Sequence, residues 1–322
     1  MPRPYAGMGG CPVPAGGIPS ARSTQITFPK RYLSKAMHHT AALYLLLAAG
    51  LACASPERNL APAAQGPYLA WKGNADLNPT DLKSYSALGW RERIYESDNP
   101  CLSYNYLGVE FFGNLRPSEF SGGSRMLVQP TSFFSASLTY RLIDYPRGVV
   151  SFAPDERWTE SEINERLWKN HSFSFSTFAD EFSLKLSLHK DWGAWQWEFP
   201  LEWGRYDIRD DTDRYVYIPS YDLLGDSRDD FVRISPMVGY RFDSPFLFGV
   251  GLAHTVTWTV SHQIRNQRTG VVYQMWPFSE RKEGELLRYW SLSTRFDIWT
   301  ENEYKRLQPR VEFSLGWDRN LF

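Results

Sequence analysis

The sequence predicts an all-β chain: a closed antiparallel transmembrane β-barrel of about 10–12 strands, twelve preferred under the even-number rule. Three observations carry this. The chain opens with a secretory-type leader. Behind it come long segments in which apolar and polar residues alternate with period two. And no apolar run after the leader is long enough for a membrane helix, so a chain that spans a membrane must close its strands on one another to satisfy its backbone.

Residues 1–54 hold no acidic side chain but carry Arg3, Arg22, Lys30, Arg31 and Lys35. An apolar run from Ala41 to Ala52, too short to cross a bilayer as a helix, ends at Ala52-Cys53-Ala54, the small-x-small form of a peptidase site. This places a signal peptide with its N-terminal extension over 1–54 and cleavage after Ala54. Met37 is an alternative start, although Lys30, Arg31 and Lys35 flank the apolar run better than His38 and His39 do. Lipidation of Cys53 is the competing processing route, but Gly50 occupies the position where a large aliphatic residue is expected.

Removing the leader takes Lys plus Arg from 35 to 30 against 36 acidic residues, a mature net charge of about −6. With no basic cluster interleaved with aromatics, nucleic acid is excluded as a partner. Cys101 becomes the one remaining cysteine, which excludes an intrachain disulfide and thiolate zinc sites. No HExxH, calcium-loop or phosphate-loop pattern is present, so no metal and no cofactor is expected. Residues 55–70 read as a flexible N-terminal lead, and 71–322 as a single barrel domain without linker or repeat.

The strands are read from parity. Trp195, Trp197, Phe199, Leu201 and Trp203 oppose Gln196, Glu198 and Glu202. Val232, Ile234, Val238, Tyr240 and Phe242 oppose Arg233, Ser235 and Arg241. Phe246, Phe248, Val250, Leu252, Val256, Trp258 and Val260 oppose Gly249, Gly251, Thr255, Thr257 and Thr259, a stretch longer than strands of ordinary soluble sheets. Trp290, Leu292, Phe296 and Ile298 oppose Ser291, Ser293, Arg295 and Asp297. Earlier strands are expected over 83–94, 102–113, 125–142 (split near Pro130) and 171–190 with a break at Ala179-Asp180. The stretches 154–170, 207–230, 262–285 and 300–307 read as loops, the longer ones extracellular, and Asp243-Ser244-Pro245 as a short periplasmic turn. A soluble sandwich could show the same alternation. The aromatic excess favours the barrel, with Trp192, Tyr206, Tyr215, Tyr217, Tyr289 and Trp299 at strand ends as an interfacial girdle.

In Val311-Glu312-Phe313-Ser314-Leu315-Gly316-Trp317, followed by Phe322, the chain resembles the Gram-negative outer-membrane β-barrels as a class. That resemblance implies a location in the cell outer membrane. It also implies outer-membrane lipids and lipopolysaccharide as surroundings, and the barrel-assembly machinery as the partner that reads the last strand. In the class pattern the apolar residues share the parity of the terminal aromatic. Here they are odd-numbered while Phe322 is even, and Asp318 and Asn320 fill the in-phase positions. Either a bulge resets the register near Asp318 or Phe322 lies just beyond the strand.

Catalytic candidates are sparse. Of the mature histidines His171, His189, His254 and His262, His189 shares inward parity with Ser187, Lys185 and Ser183, so Ser187 and His189 are same-face neighbours. A serine–histidine pair at an outer rim is what a lipid-acting hydrolase or acyltransferase would use. The bland reading is that Ser and His line a wet lumen. His262 sits at a rim or loop position, and His254 has lipid-facing parity. The lumen-lining candidates are Lys185, Glu198, Glu202, Arg233, Arg241, Arg295, Asp297 and Glu312, of both signs, which could pair into a plug or line a narrow polar path. The sequence therefore favours a channel or transport barrel for small polar solutes or an exported polymer. The alternatives are a structural or surface-interaction barrel and a lipid-acting enzyme.

Overall fold

The computed structural model describes residues 65–77, 81–146, 151–152, 177–209, 215–218, 221, 223–242, 248–261, 265–277, 290–301 and 307–320. Its elements in chain order are β1 (Gly66–Leu77), β2 (Asp81–Glu92), a short helix α1 (Pro100–Ser103), β3 (Tyr106–Leu115), β4 (Phe120–Thr131), β5 (Phe134–Tyr145) and β6 (Ser151–Phe152). There follow β7 (Thr177–Trp192), β8 (Trp195–Ile208), β9 (Tyr215–Ile218), β10 (Leu223–Gly225), β11 (Arg228–Ile234) and β12 (Met237–Phe242). The chain ends with β13 (Phe248–Thr259), β14 (Arg265–Met275), β15 (Trp290–Glu301) and β16 (Pro309–Asn320). All but β6, β9 and β10 form one antiparallel sheet in which each strand pairs with its neighbour in sequence, and β1 pairs with β16 from Tyr68↔Asn320 to Leu77↔Val311. That last pairing closes the barrel, so none of its described strands presents an unpaired edge.

β11 and β12 are two halves of one stave. Ile234↔Leu201 and Met237↔Glu198 keep the same register on β8, as do Ile234↔Val256 and Met237↔Ala253 on β13. The interruption at Ser235-Pro236 has a local cause. Pro236 has no N–H to donate, and Pro200 on the neighbouring β8 lacks one as well. The Ser235 N–H still donates to the Pro200 carbonyl at 3.1 Å, and the His254 N–H to the Pro236 carbonyl at 2.9 Å. The barrel thus has twelve staves.

Both ends of the barrel sequence, Gly66 and Asn320, lie at one end, here the terminal end; the long connections after β5 and β8 lie at the other, the loop end. At the loop end β6, β9 and β10 form a small separate sheet. Its Val216, Ile218 and Leu223, with Tyr221, pack against the inward residues Ile143, Tyr145, Ala179, Tyr206, Ile208 and Phe231 as one apolar core. Gly204 makes room there, because a Cβ on it would collide with the Phe231 ring.

The outer surface is zoned along the axis. Its middle is apolar: Phe111 is 64% exposed and Leu252 61%, in a belt with Leu88, Leu138, Phe199 and Phe296. Towards the terminal end the ring contacts form an outward aromatic row, Trp195–Tyr240 at 5.2 Å, Tyr240–Phe242 at 4.9 Å and Phe242–Phe248 at 4.7 Å. Trp71 and Trp290 meet edge to face at 6.0 Å. Towards the loop end the outward residues become ion pairs, Arg228–Asp207 at 2.5 Å and Arg209–Asp180 at 2.8 Å.

Several sequence expectations need correction. Residues 66–70, placed in the lead, belong to β1, and 265–275, placed in a loop, form β14; the connection after β14 emerges at the terminal end. β7 runs unbroken through Ala179-Asp180. Of the proposed girdle, Trp192 is exposed, but Tyr206, Tyr217 and Trp299 are buried inside; parity, not nearness to a strand end, decides the face, and Trp299 shares the inward parity of Arg295 and Asp297. The Tyr215 side chain and Tyr289 lie outside the described residues, as do the leader with Cys53, the segment 154–170 and the Asp243-Ser244-Pro245 turn. The register of β16 is unbroken to Asn320, so no bulge occurs at Asp318; Phe322 lies two residues further on, outside the described residues.

The seam can be tested directly. Ala75 and Phe313 face each other across β1 and β16, a separation of about 4.5–5.5 Å between Cα atoms that suits a disulfide. Ala75→Cys with Phe313→Cys should oxidise to an intramolecular bond, and boiled protein should migrate differently with and without reductant. Failure to form that bond would overturn the β1–β16 register.

Candidate functional site: the barrel lumen

Inward positions along the staves bring charged and hydroxyl groups together because the strand period sends every second side chain to the axis. The dominant hub is Arg310, the first inward residue of β16. Its guanidinium lies 2.5 Å from Asp76, 2.6 Å from Glu312 and 3.3 Å from Asp297. Arg310 is 4% exposed, with Asp76 at 2% and Asp297 at 0%. A planar fork with five N–H donors is suited to serving three carboxylates at once. Asp297 is also 2.7 Å from Arg295 and 3.6 Å from Arg268. Its carboxylate lies over Gly270 of β14, where a Cβ would collide with it and with the Phe296 carbonyl.

From Asp76 the network continues around the wall. Lys83 lies 2.5 Å from Asp76 and 3.5 Å from Asp81; Arg116 bridges Asp81 at 3.9 Å and Glu119 at 3.5 Å; Arg141 joins Glu119 at 3.8 Å to Glu181 at 2.6 Å. A second group is built on Glu110, which accepts hydrogen bonds from Tyr68 at 2.8 Å and from Tyr85, and pairs with Arg125 at 3.0 Å.

Tyr221, from the connection between β9 and β10, reaches into the lumen. Its ring packs 4.2 Å from that of Phe231 and under the Arg233 guanidinium at 4.4 Å, and its carbonyl accepts from Asn266 at 3.3 Å. Burial holds the Tyr221 phenol well above its usual titration range, and the Glu181 and Glu202 carboxylates push it the same way, so it stays a neutral hydroxyl. Two cavities adjoin it. One of about 420 Å³ lies along β3, β4, β5, β7 and β8, and one of about 430 Å³ along β13–β16, β1 and β2; Tyr85, Asn114, Arg116, Arg141, Tyr221 and Arg233 border both.

The eight lumen candidates divide into separate groups. Lys185, Glu202 and Arg233 border the first cavity, with Arg233 3.3 Å from Glu202. Arg241 lies nearer the terminal end, 3.1 Å from Asp191. Arg295, Asp297 and Glu312 belong to the Arg310 cluster. Glu198 sits opposite His189 on neighbouring strands. Ser187 and His189 are two residues apart on β7, roughly 6.8 Å along a strand, and no hydrogen bond joins them among the described residues. His254 is outward, its Nδ1 2.7 Å from the Thr269 hydroxyl across the β13–β14 pair. His171 and His262 lie outside the described residues. Parity missed Arg310, Asp76, Arg116 and Arg141, which flank strand ends or weakly alternating segments. Among the described residues no group of three or more His, Cys, Asp or Glu could hold a metal ion.

No protein-family model and no curated protein matches the chain. Among solved structures it is similar to the β domain of the Bordetella autotransporter Brka, with 12% identity and a TM-score of 0.42, over 79% of this chain and 99% of that one. It is also similar to the NanC porin, with 9% identity and a TM-score of 0.39, over 79% and 100%. A third is an outer membrane channel from Pseudomonas putida F1, with 11% identity and a TM-score of 0.39, over 82% and 99%.

Arg310→Ala should be the most damaging single lumen substitution, because it removes the shared cation from buried Asp76 and Asp297 and part-buried Glu312 and leaves Lys83, Arg268 and Arg295 as partial partners, a loss of up to about 3–5 kcal/mol. Arg310→Lys should recover only part of this, since an ammonium lacks the fork. The denaturant midpoint of the refolded protein measures both, and equal stability of native and Arg310→Ala protein would refute the hub.

Proposed function

We propose that this chain is a channel of the cell outer membrane that carries small polar solutes or an exported polymer. One observation carries the reading: two polar, charge-lined cavities of about 420 and 430 Å³ lie inside a closed barrel whose outside is apolar. Such an outside is costly in water, at about 25 cal/mol per Å², and contiguous apolar surfaces of this extent mark contact with lipid or a partner. On β8 the apolar outward run from Trp195 to Trp203 covers eight residue steps, about 27 Å along the strand and about 20 Å along the axis at a tilt near 40°. The outward aromatic row at the terminal end and the outward ion pairs at the loop end bracket this zone, as headgroup regions require. The surroundings are then outer-membrane lipids and lipopolysaccharide, and insertion falls to the barrel-assembly machinery.

A sealed structural or interaction barrel is the second reading, and the apolar core beneath the loop-end sheet favours it. Single-channel recording of purified protein in planar bilayers separates the two. Discrete openings support the channel; silence across a wide voltage range overturns it in favour of the sealed barrel.

The membrane assignment has its own test on β5, where Leu138 is outward and Ser137 borders the first cavity. Leu138→Arg should destabilise the lipid-inserted protein by about 2–4 kcal/mol, and Ser137→Arg by much less. The reverse order in equilibrium unfolding from lipid would refute lipid contact on that face.

A further inference from the structure

We infer that the first cavity holds a binding site for a small polyhydroxylated anion of the sugar-acid type, centred on Lys185; this rests on the channel reading above for its role in transport, but not for its chemistry. The site is built by register. On β5 and β7, Ser135 faces Ser187, Ser137 faces Lys185 and Thr139 faces Ser183. All six side chains border the cavity. Neighbouring strands lie about 4.8 Å apart and same-face residues about 6.8 Å apart. Lys185 therefore sits midway along one row of a two-row grid that carries five hydroxyls, about 4.8 Å across and about 14 Å long, room for a sugar ring beside the ammonium.

Charge accounting shows why Lys185 is available. Glu202, its cross-strand neighbour on β8, is engaged by Arg233 at 3.3 Å, and Glu181 by Arg141 at 2.6 Å. Lys185 itself makes no ion pair or side-chain hydrogen bond among the described residues, and it is exposed to the cavity. The hydroxyls of Ser135, Ser137, Ser183 and Ser187 likewise make no side-chain hydrogen bond among the described residues, although Ser183 and Ser187 are largely buried in the wall; of the five, Thr139 is committed, accepting from Arg125 at 3.2 Å. The cavity is bordered by the cations Arg116, Arg125, Arg141, Lys185 and Arg233 against the carboxylates Glu181 and Glu202. The four arginines among them are each paired with a carboxylate, so the cation left to draw an anion to this wall is Lys185.

The chemistry of recognition follows. An ammonium with three donors takes one carboxylate, and hydroxyls that donate and accept suit neighbouring sugar hydroxyls. At about 420 Å³ the space lies within the range of small-molecule clefts, about 300–1,000 Å³. A neutral sugar would lose the charge-assisted contact. A hydroxyl-free anion would lose the grid.

The test uses the full-length mature barrel in detergent and in planar bilayers, with glucuronate, glucose and acetate as probes. Calorimetry should show glucuronate binding that weakens as ionic strength rises. Lys185→Gln should weaken it about tenfold or more, the value of one charge-assisted hydrogen bond, and Lys185→Arg should retain it. Ser137→Ala with Ser183→Ala should weaken it by a smaller factor without changing the net charge. Glucose and acetate should bind poorly. In bilayers, glucuronate should interrupt the current of native protein and not that of Lys185→Gln. Equal binding of glucose and glucuronate, or glucuronate binding unchanged in Lys185→Gln, would overturn the site even if the channel opens. Absence of openings with Lys185-dependent glucuronate binding would overturn the transport reading and leave the site standing. Heat-shifted migration on gels checks that each variant is folded.

Discussion

Ring closure of the backbone is the constraint on which the rest of this structure depends. Every stave exchanges hydrogen bonds with both neighbours, and β1 on β16 completes the circle. Each side chain is thereby committed to one of two environments by its number alone. A one-residue slip on any stave would turn an apolar set inward and a charged set outward, so the register is protected from both faces. The β11–β12 stave illustrates this: two prolines remove ladder donors near Ser235-Pro236, yet the pairing resumes in the same register on both sides. The parity of Arg233 and Arg241 inside, and of Val232 and Val238 outside, leaves no competing alignment.

Closure creates the second problem, a confined interior lined by ionisable groups. Buried charges are tolerated only when paired with good geometry. The arc running from Glu312 and Arg310 through Asp76, Lys83 and Arg116 to Arg141 and Glu181 meets that demand by sharing partners between staves. A shared network also ties staves that are distant in sequence: Arg310 and Asp76 flank the seam that joins the two ends of the barrel. Lys185 stands apart from this economy of pairs. Its ammonium is exposed to the cavity and makes no ion pair among the described residues, and that accessibility makes it chemically different from the arginines around it.

The sequence makes strongly alternating staves plain and hides the rest for identifiable reasons. β8, β13, β15 and the body of β16 each combine bulky outward residues with polar inward ones, and parity alone finds them. β1 was obscured because Gly73 and Ala75 occupy outward positions, so the outward set carries little apolar signal. β14 was obscured because its outward Arg265, Gln267 and Thr269 stand at the loop end, beyond the apolar zone, and only Val271 and Tyr273 report the alternation. The site was half legible for the same reason. Parity gathered Lys185, Glu202 and Arg233, whereas the hydroxyl grid depends on which residues of β5 face which of β7, and no single-strand pattern encodes that register. The loop-end sheet was invisible because β9 and β10 are too short to show a period.

The interior also changes character along the axis, and the two ends of that gradient explain each other. Near the loop end the inward residues Ile143, Tyr145, Tyr206, Ile208 and Phe231 are apolar, which would be unfavourable in an open wet lumen. The small sheet of β6, β9 and β10 covers them and turns that cost into a core. Tyr221 marks the transition: one face of its ring meets Phe231, while Arg233 and the cavities lie on the polar side. Below it the wall passes to serine, threonine and lysine, where apolar packing would leave hydroxyls without partners and a polar cavity lies instead. A barrel that was a packed plug throughout would have no use for the hydroxyls of Ser135, Ser137, Ser183 and Ser187 and the Lys185 ammonium, which make no side-chain hydrogen bond or ion pair among the described residues. Their presence beneath a covered loop end is the feature on which the proposed channel and its binding site rest.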